Sequence, residues 1–591
     1  MRRATCILSA FILAAAASRA ASQSRCDSCA TTRYWKVDRD YYRGRDTTSP
    51  PEAKRLDVTR KASLGIAFSG GGTRSASATI GELRGLQANG WLDSVRYVTA
   101  VSGGSWAAVP FTFYQGDDLY TLLGKGTALD PFTVQTVPNG LLAARVAASG
   151  LARYALAELP GLAPDSVGKY NLTAATNTFA KVRNLFGTVT GTGARDADRE
   201  NKTYARTLSK IFLEGIVNGN KPVDSPYAWD FQTAGEIADS TGMSSTKFIY
   251  ARNDRPFLIV GGTLVRSSAG EYPRLIPVEY TSLYTGIRQQ YGPIGGTYVW
   301  PWAYDRLSVG QRSATSIAVG PLPFTRTFSL GDVIASSGAA PQLTLLLASG
   351  VPDQLRVAAA EAAKIFPSFT SLSIRRDLPT PPTEELPHGD GGFTDNFGLM
   401  PLLARRVKHI IVFMNSADPY AENDGLETYF RPIQSRAGDG DKTMNVVFDR
   451  SHYRDLIQAF DKATNAGGGA LHCAAWKVVP NAYYNIQSYT PTICWVYNHA
   501  ARNWNEKLPL EIQNWLKTGN VKYPSEQAKQ LRHFPYYSTF EENKPRLIDL
   551  STLQVNLLAH LGAWSVTNPV AVKTMRDAFG SILPEPKPPT P

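Results

Sequence analysis

The strongest constraint on how this chain folds is the order of elements between residues 64 and 114. Leu64-Gly-Ile-Ala-Phe68 is a short unbroken apolar run, the pattern of a strand buried on both faces. Ser69-Gly70-Gly71-Gly72 interrupts it as a loop. Residues 73–88 then read as a helix closed by Asn89-Gly90. Val95–Val101 (VRYVTAV) is a second strand, Ser102-Gly103-Gly104 a sharp turn, and a further helix starts at Ser105 and runs to about Tyr114. Strand, helix, strand, helix in this order requires a parallel sheet with helices on its faces. The expected fold class is therefore α/β: three α/β/α layers around a mostly parallel central sheet. Further strands are expected at Pro256–Gly261, Ile276–Tyr280 and His409–Phe413, and a loop over residues 379–389 (PTPPTEELPHG).

The rest of the chain is divided by changes in composition. Residues 1–20 have Arg2 and Arg3, an apolar run from Ala4 to Ala17, and small residues at Ser18 and Ala20, the pattern of a signal peptide. That run is shorter than the roughly 20 residues needed to cross a bilayer. Residues 21–60 are polar and irregular and read as an N-terminal arm. The catalytic core is expected over 61–420, with an Ala/Leu-rich helical cap at about 120–186. Residues 421–565 are mixed and aromatic-rich, a C-terminal part packed on the core or completing it. Residues 566–591 read as a tail ending in PEPKPPTP. No internal repeat is present.

A 43% hydrophobic and 19% charged chain is that of a folded globular protein. Its net charge of +12 favours anionic surfaces such as phospholipid headgroups. Its basic residues are scattered, with no Lys/Arg run interleaved with aromatics, which argues against nucleic acid as a partner. Four cysteines follow the leader: Cys26, Cys29, Cys473 and Cys494. In an exported chain an even number points to disulfides, with the local pairs Cys26–Cys29 and Cys473–Cys494 favoured and buried free thiols as the other reading. No His or second Cys pair stands at ligand spacing beside them, so no metal and no cofactor is expected. Asn171 and Asn201 open glycosylation sequons, and Gly438–Lys442 (GDGDK) lacks the later Glu of a calcium loop.

Three segments carry chemistry. Ser102 follows a strand directly and precedes two glycines, the arrangement of a nucleophile elbow, with Ala100 where the GxSxG pattern has its first Gly. Ser105 is a rival nucleophile one helical turn on. Gly70-Gly71-Gly72 lies between a strand and a helix N-terminus, where free N–H groups bind anions. It has neither the Lys-Ser/Thr of a P-loop nor the spacing of GxGxxG. Arg74 adds a bidentate donor suited to a phosphate or an oxyanion. Asp390, before Gly391-Gly392, can act as a carboxylate base if partly buried or hydrogen-bonded to the serine. The seven histidines form no obvious triad; His388 is nearest in sequence to Asp390.

SGGGTR, AVSGGSW and DGGFTDNFGLMPL, in this order, resemble the motifs of the patatin and cytosolic phospholipase A/fungal phospholipase B superfamily. PVEYTSLYTG from Pro277 and LGDVIASSGAAP from Leu330 are weaker echoes. The resemblance spans roughly residues 61–415. It implies a patatin-like sheet with cap insertions, Ser102 as nucleophile and Asp390 as base. It further implies Gly71 and Gly72 as oxyanion donors, Arg74 as a contact to substrate phosphate, and no cofactor. The implied activity is hydrolysis of phospholipid or lysophospholipid acyl esters, outside the cytoplasm, at a membrane or micelle surface. Acyl transfer from the same acyl-enzyme and non-catalytic lipid binding are the alternatives.

Overall fold

The structure, a computed structural model, describes residues 29–36, 50–126, 130–148, 203–217, 221–222, 224–266, 275–291, 294–311, 313–320, 327–340, 366–370, 385–432, 444–537, 540–541, 544–545 and 550–586. Its centre is one large sheet. The strands are β1 (Ala30–Lys36), β2 (Leu64–Phe68), β3 (Tyr97–Val101), β4 (Phe257–Val265), β5 (Leu275–Thr281), β6 (Thr285–Tyr291), β7 (Ile294–Val299), β8 (Leu307–Gln311), β9 (Ser316–Gly320), β10 (Glu385–Asp390), β11 (His409–Met414), β12 (Leu471–Ala475) and β13 (Thr492–Tyr497). They lie side by side as β8-β9-β1-β7-β6-β5-β4-β3-β2-β11-β13-β12. The five strands β4, β3, β2, β11 and β13 are mutually parallel and form the heart of the sheet. Antiparallel strands extend it from β5 to β8, and β12 closes the opposite edge antiparallel to β13.

The main helices are α1 (Gly72–Ala88), α2 (Gly103–Phe113), α3 (Leu330–Ser337), α4 (Leu510–Thr518), α5 (Thr552–Thr567) and α6 (Pro569–Phe579). Helices cover both faces of the parallel heart. A side chain at Gly65 of β2 would meet Leu402 and Val407, whereas Phe68, of opposite parity on the same strand, lies against Gly104 at the start of α2. Helix α1 is buried from Thr73 to Leu86 because α5 lies over its outer side. Glycine makes that contact possible. A Cβ on Gly81 would sit 1.8 Å from the Ala559 carbonyl oxygen, and one on Gly562 would sit 2.5 Å from that of Ala78.

Three sequence expectations change. The N-terminal arm supplies a strand: β1 pairs with β7 and β9, and Ala30, Thr32 and Tyr34 turn into the core. The stretch expected as a loop at 379–389 is described only from 385, where it is strand β10; main-chain pairing of residues 385–387 to Ser368–Thr370 and of 388–390 to β4 overrides the local Pro-Gly signal. The tail starts later than 566, because α6 buries Ala571, Met575 and Phe579. The described part of the cap holds short helices at Leu119–Leu123, Pro131–Thr136 and Leu141–Ala148; residues 149–186 of it lie outside the described residues. Cys473 and Cys494 form a disulfide across β12 and β13. Cys26, both sequons, the GDGDK segment and the leader lie outside the described residues. Among the described residues no helix is long and apolar enough to cross a membrane.

Replacing Gly81 by Ala should force α1 and α5 apart and cost about 1–3 kcal/mol, the usual range for overpacking. A urea unfolding midpoint should fall accordingly, while Gly235→Ala, at a position with open space, should leave it unchanged or raised.

Candidate active site

The site forms where two strands meet end to end. Strand β3 pairs with the first half of β4, and its last residue, Val101, lies opposite Gly261. Strand β10 runs the other way along the second half of the same edge, and its last residue, Asp390, lies opposite Gly262. The chain turns off β3 at Ser102 and off β10 at Gly391, so both side chains project into one gap. Ser102 Oγ donates to Asp390 Oδ2 at 2.7 Å.

Ser102 has φ 50° and ψ −125°, a conformation that costs a non-glycine residue about 1–3 kcal/mol. The surroundings hold it there. Its backbone N–H donates to Ser337 Oγ at 2.8 Å, and Ser337 Oγ donates in turn to the Gly261 carbonyl at 2.7 Å. The Ser337 carbonyl accepts from Gly391 N–H at 3.1 Å. One residue at the end of α3 therefore ties together the elbow, β4 and the aspartate turn. Gly103 is required because a Cβ there would lie 1.9 Å from the Gly72 carbonyl oxygen.

Asp390 is buried, and burial pushes its carboxyl up to about 7. The hydrogen bonds from Ser102 and from Gly392 N–H (2.7 Å, to Oδ1) pull the other way. A carboxylate near 7 can take a proton from serine far more readily than one near 4. His388 is not placed to help. Its ring nitrogens face the Tyr304 hydroxyl (2.8 Å) and the Leu386 carbonyl (2.9 Å), and burial drops its pKa to about 4, so it stays neutral. Ser105 is fully buried and donates to the Ser102 carbonyl at 2.6 Å, inside the first turn of α2.

The glycine loop passes over the serine: a Cβ on Gly70 would stand 3.2 Å from Ser102 Cβ. Gly71 (φ 135°) and Gly72 (φ 58°) adopt backbone conformations that glycine alone takes easily. The Gly70 N–H is taken by the Asn396 carbonyl, while the N–H groups of Gly71 and Gly72 have no partner among the described residues. Arg74 departs from the expected open phosphate contact. It is buried, its Nε and Nη2 donate to the Asn415 carbonyl (3.2 and 3.1 Å), and its Nη1 donates to the Tyr537 carbonyl. Burial lowers its pKa to about 10, which leaves it cationic at neutral pH. A guanidinium in so dry a place needs acceptors, and the chain's own carbonyls supply them.

Two residues in the quoted motifs had no role assigned by sequence. Ser337 is one. Asn396 is the other: its exposed amide borders both Gly70 and Gly392 at the mouth of the site. Among the described residues no group of three or more His, Cys, Asp or Glu could hold a metal ion.

No protein-family model matches the sequence, and no curated protein matches it. Among solved structures the chain is similar to human GIVD cytosolic phospholipase A2. The identity is 15% over 87% of this chain and 62% of that one, with a TM-score of 0.43. It is also similar to that protein in complex with methyl gamma-linolenyl fluorophosphonate, at 14% identity over 89% of this chain and 60% of that one, with a TM-score of 0.36. The chain thus spans about three fifths of the length of these structures.

Ser337→Ala would leave the Ser102 N–H and the Gly261 carbonyl unpaired in a dry site, at about 1–3 kcal/mol. Turnover of an acyl ester should fall at least about ten-fold at unchanged KM, and Ser337→Thr should recover most of it. A purely structural role would instead lower the melting temperature and leave kcat per folded enzyme intact.

Proposed function

We propose that the chain is a serine lipid acyl-hydrolase of phospholipase or lysophospholipase type, working through a Ser102–Asp390 dyad. The observation that carries this reading is the 2.7 Å hydrogen bond from Ser102 Oγ to a buried aspartate, at a strained elbow beneath a glycine loop. In the first half-reaction Asp390 accepts the Ser102 proton as Oγ bonds to the ester carbonyl carbon. The oxyanion that develops is taken by the free N–H groups of Gly71 and Gly72. Collapse expels the alcohol, which leaves with the proton held on Asp390, and the acyl group stays on Ser102. In the second half, water gives its proton to Asp390 and attacks the acyl-enzyme. The fatty acid departs and the proton returns to Ser102.

Lipid as the acyl donor is supported by the ordered resemblance of the three motifs and by a cationic chain suited to anionic headgroups. Arg74 in this reading braces the glycine loop through Asn415 and Tyr537. Export is supported by the leader pattern and by the Cys473–Cys494 bridge, which persists in an oxidising compartment.

Calcium-free hydrolysis of a phospholipid and of a p-nitrophenyl acyl ester should be measured for the unaltered chain, Ser102→Ala and Asp390→Asn. Both variants are expected to lose at least about a thousand-fold in turnover. Equal turnover by all three proteins would remove the dyad from the account.

A further inference from the structure

The parallel strands all end on one edge of the sheet, and a long segment leaves this edge after β13. Residues 498–537 start beside the end of β11, where Asn498 N–H donates to the Met414 carbonyl. They return to it where the Tyr537 carbonyl meets Arg74. Helix α4 lies between. Its inner side is held by a compact apolar cluster: Ile512, Leu508 and Leu531 with Trp504, against Leu557 of α5. Its outer side is a single stripe at helical spacing, Leu510, Asn514, Lys517 and, just beyond the helix, Val521, all exposed. Leu510 is 71% exposed, Val521 52% and Tyr523 86%. The apolar positions therefore do not belong to the core on which the helix sits.

Charge selects the partner. Lys507, Lys517 and Lys522 are exposed and make no ion pair among the described residues; of the acids, Glu506 and Glu526 are engaged by Arg502 and Lys529, which leaves Glu511, on the flank of the stripe, as a single exposed carboxylate against three lysines. Lys522 lies against the Tyr523 ring, 4.9 Å from its centroid. Exposed aliphatic and aromatic side chains interleaved with unpaired lysines match the boundary between headgroups and acyl chains of an anionic bilayer. A protein partner's apolar face would leave those lysines without counter-charge.

We infer that the outer stripe of α4 and the turn after it, Leu510, Lys517, Val521, Lys522 and Tyr523, form a docking surface for anionic lipid. The segment that carries this surface leaves and rejoins the sheet at the edge where Ser102 lies, so docking there would hold the site at the source of a lipid ester. The docking claim goes beyond the acyl-hydrolase reading and is testable without it.

The test uses the full chain carrying Ser102→Ala, so that no lipid is consumed, in sedimentation with phosphatidylcholine vesicles with or without phosphatidylglycerol. Binding should require phosphatidylglycerol and weaken with salt. Lys517→Glu/Lys522→Glu should weaken it by more than about five-fold per lysine, since each replacement exchanges attraction for repulsion. Leu510→Ser/Tyr523→Ser should weaken it in low and high salt alike. With active Ser102, both double variants should turn over a short soluble ester as before and lose activity only on vesicles. Binding that ignores these substitutions would overturn the inference, as would no preference for anionic vesicles, or a dimer in solution that the Leu510→Ser/Tyr523→Ser pair dissolves. Loss of soluble-ester turnover in Ser102→Ala bears on the dyad alone and leaves the docking result standing.

Discussion

The site depends on β4 offering one edge to two strands. β3 comes from one end and β10 from the other, and each stops one residue short of colliding, at Gly261 and Gly262. Main-chain pairing fixes the position of both strand ends without any help from the reacting side chains. A hydroxyl and a carboxylate that must lie within hydrogen-bond reach are thus set by backbone register, the most rigid determinant a fold possesses. The glycines around this junction are consequences of it: Gly391 has the Gly261 carbonyl 2.3 Å from where its Cβ would be, and Gly103 has that of Gly72 at 1.9 Å.

Burial then sets the chemistry. The same dry surroundings that lift Asp390 to about 7 drop His388 to about 4, because in each case the charged form is the one penalised. The histidine, neutral and spoken for by Tyr304 and Leu386, serves as core. Among the described residues the aspartate's carboxylate has hydrogen bonds only to Ser102 and the Gly392 N–H, so its remaining basicity is directed at the serine. At one place away from the site the fold meets buried charge with opposite charge. Arg405 binds Glu52 and Glu279 at 2.8 Å each, joining the arm to the segment that follows the aspartate turn. Burial would raise Glu279, yet Arg405 and Arg288 together hold it at about 2.

The parallel heart was legible because its strands are unbroken apolar runs and its turns are marked by glycine: β2 has the expected bounds, and β3, β4, β5 and β11 fall within two residues of expectation at their starts. Ser102 and Asp390 were legible as polar residues each followed by two glycines, and the structure brings them together in a buried pair. With the exception of β1, what went unread in the sequence is non-local. β10 has Pro387 and Gly389 in it and is a strand because residues 368–370 pair with its first half and β4 with its second. β1 carries a clear alternation, Ala30, Thr32, Tyr34, that a period-of-two reading would have found. Arg74 looked like a ligand for phosphate because the local pattern cannot show that Asn415 and Tyr537 reach it from hundreds of residues away. Ser337 lay inside a recognised segment, yet its role needs the Gly261 and Ser102 contacts that only the folded chain makes.

The central claim is that Ser102 is activated by a buried carboxylate and by nothing else. The most direct measurement is the rate at which a small fluorophosphonate labels Ser102 as a function of pH, followed by mass spectrometry of the labelled peptide. The account predicts a single rise with midpoint near pH 7, absent in Asp390→Asn and unchanged in His388→Gln. A midpoint that survives Asp390→Asn, or label found on Ser105 in place of Ser102, would contradict it.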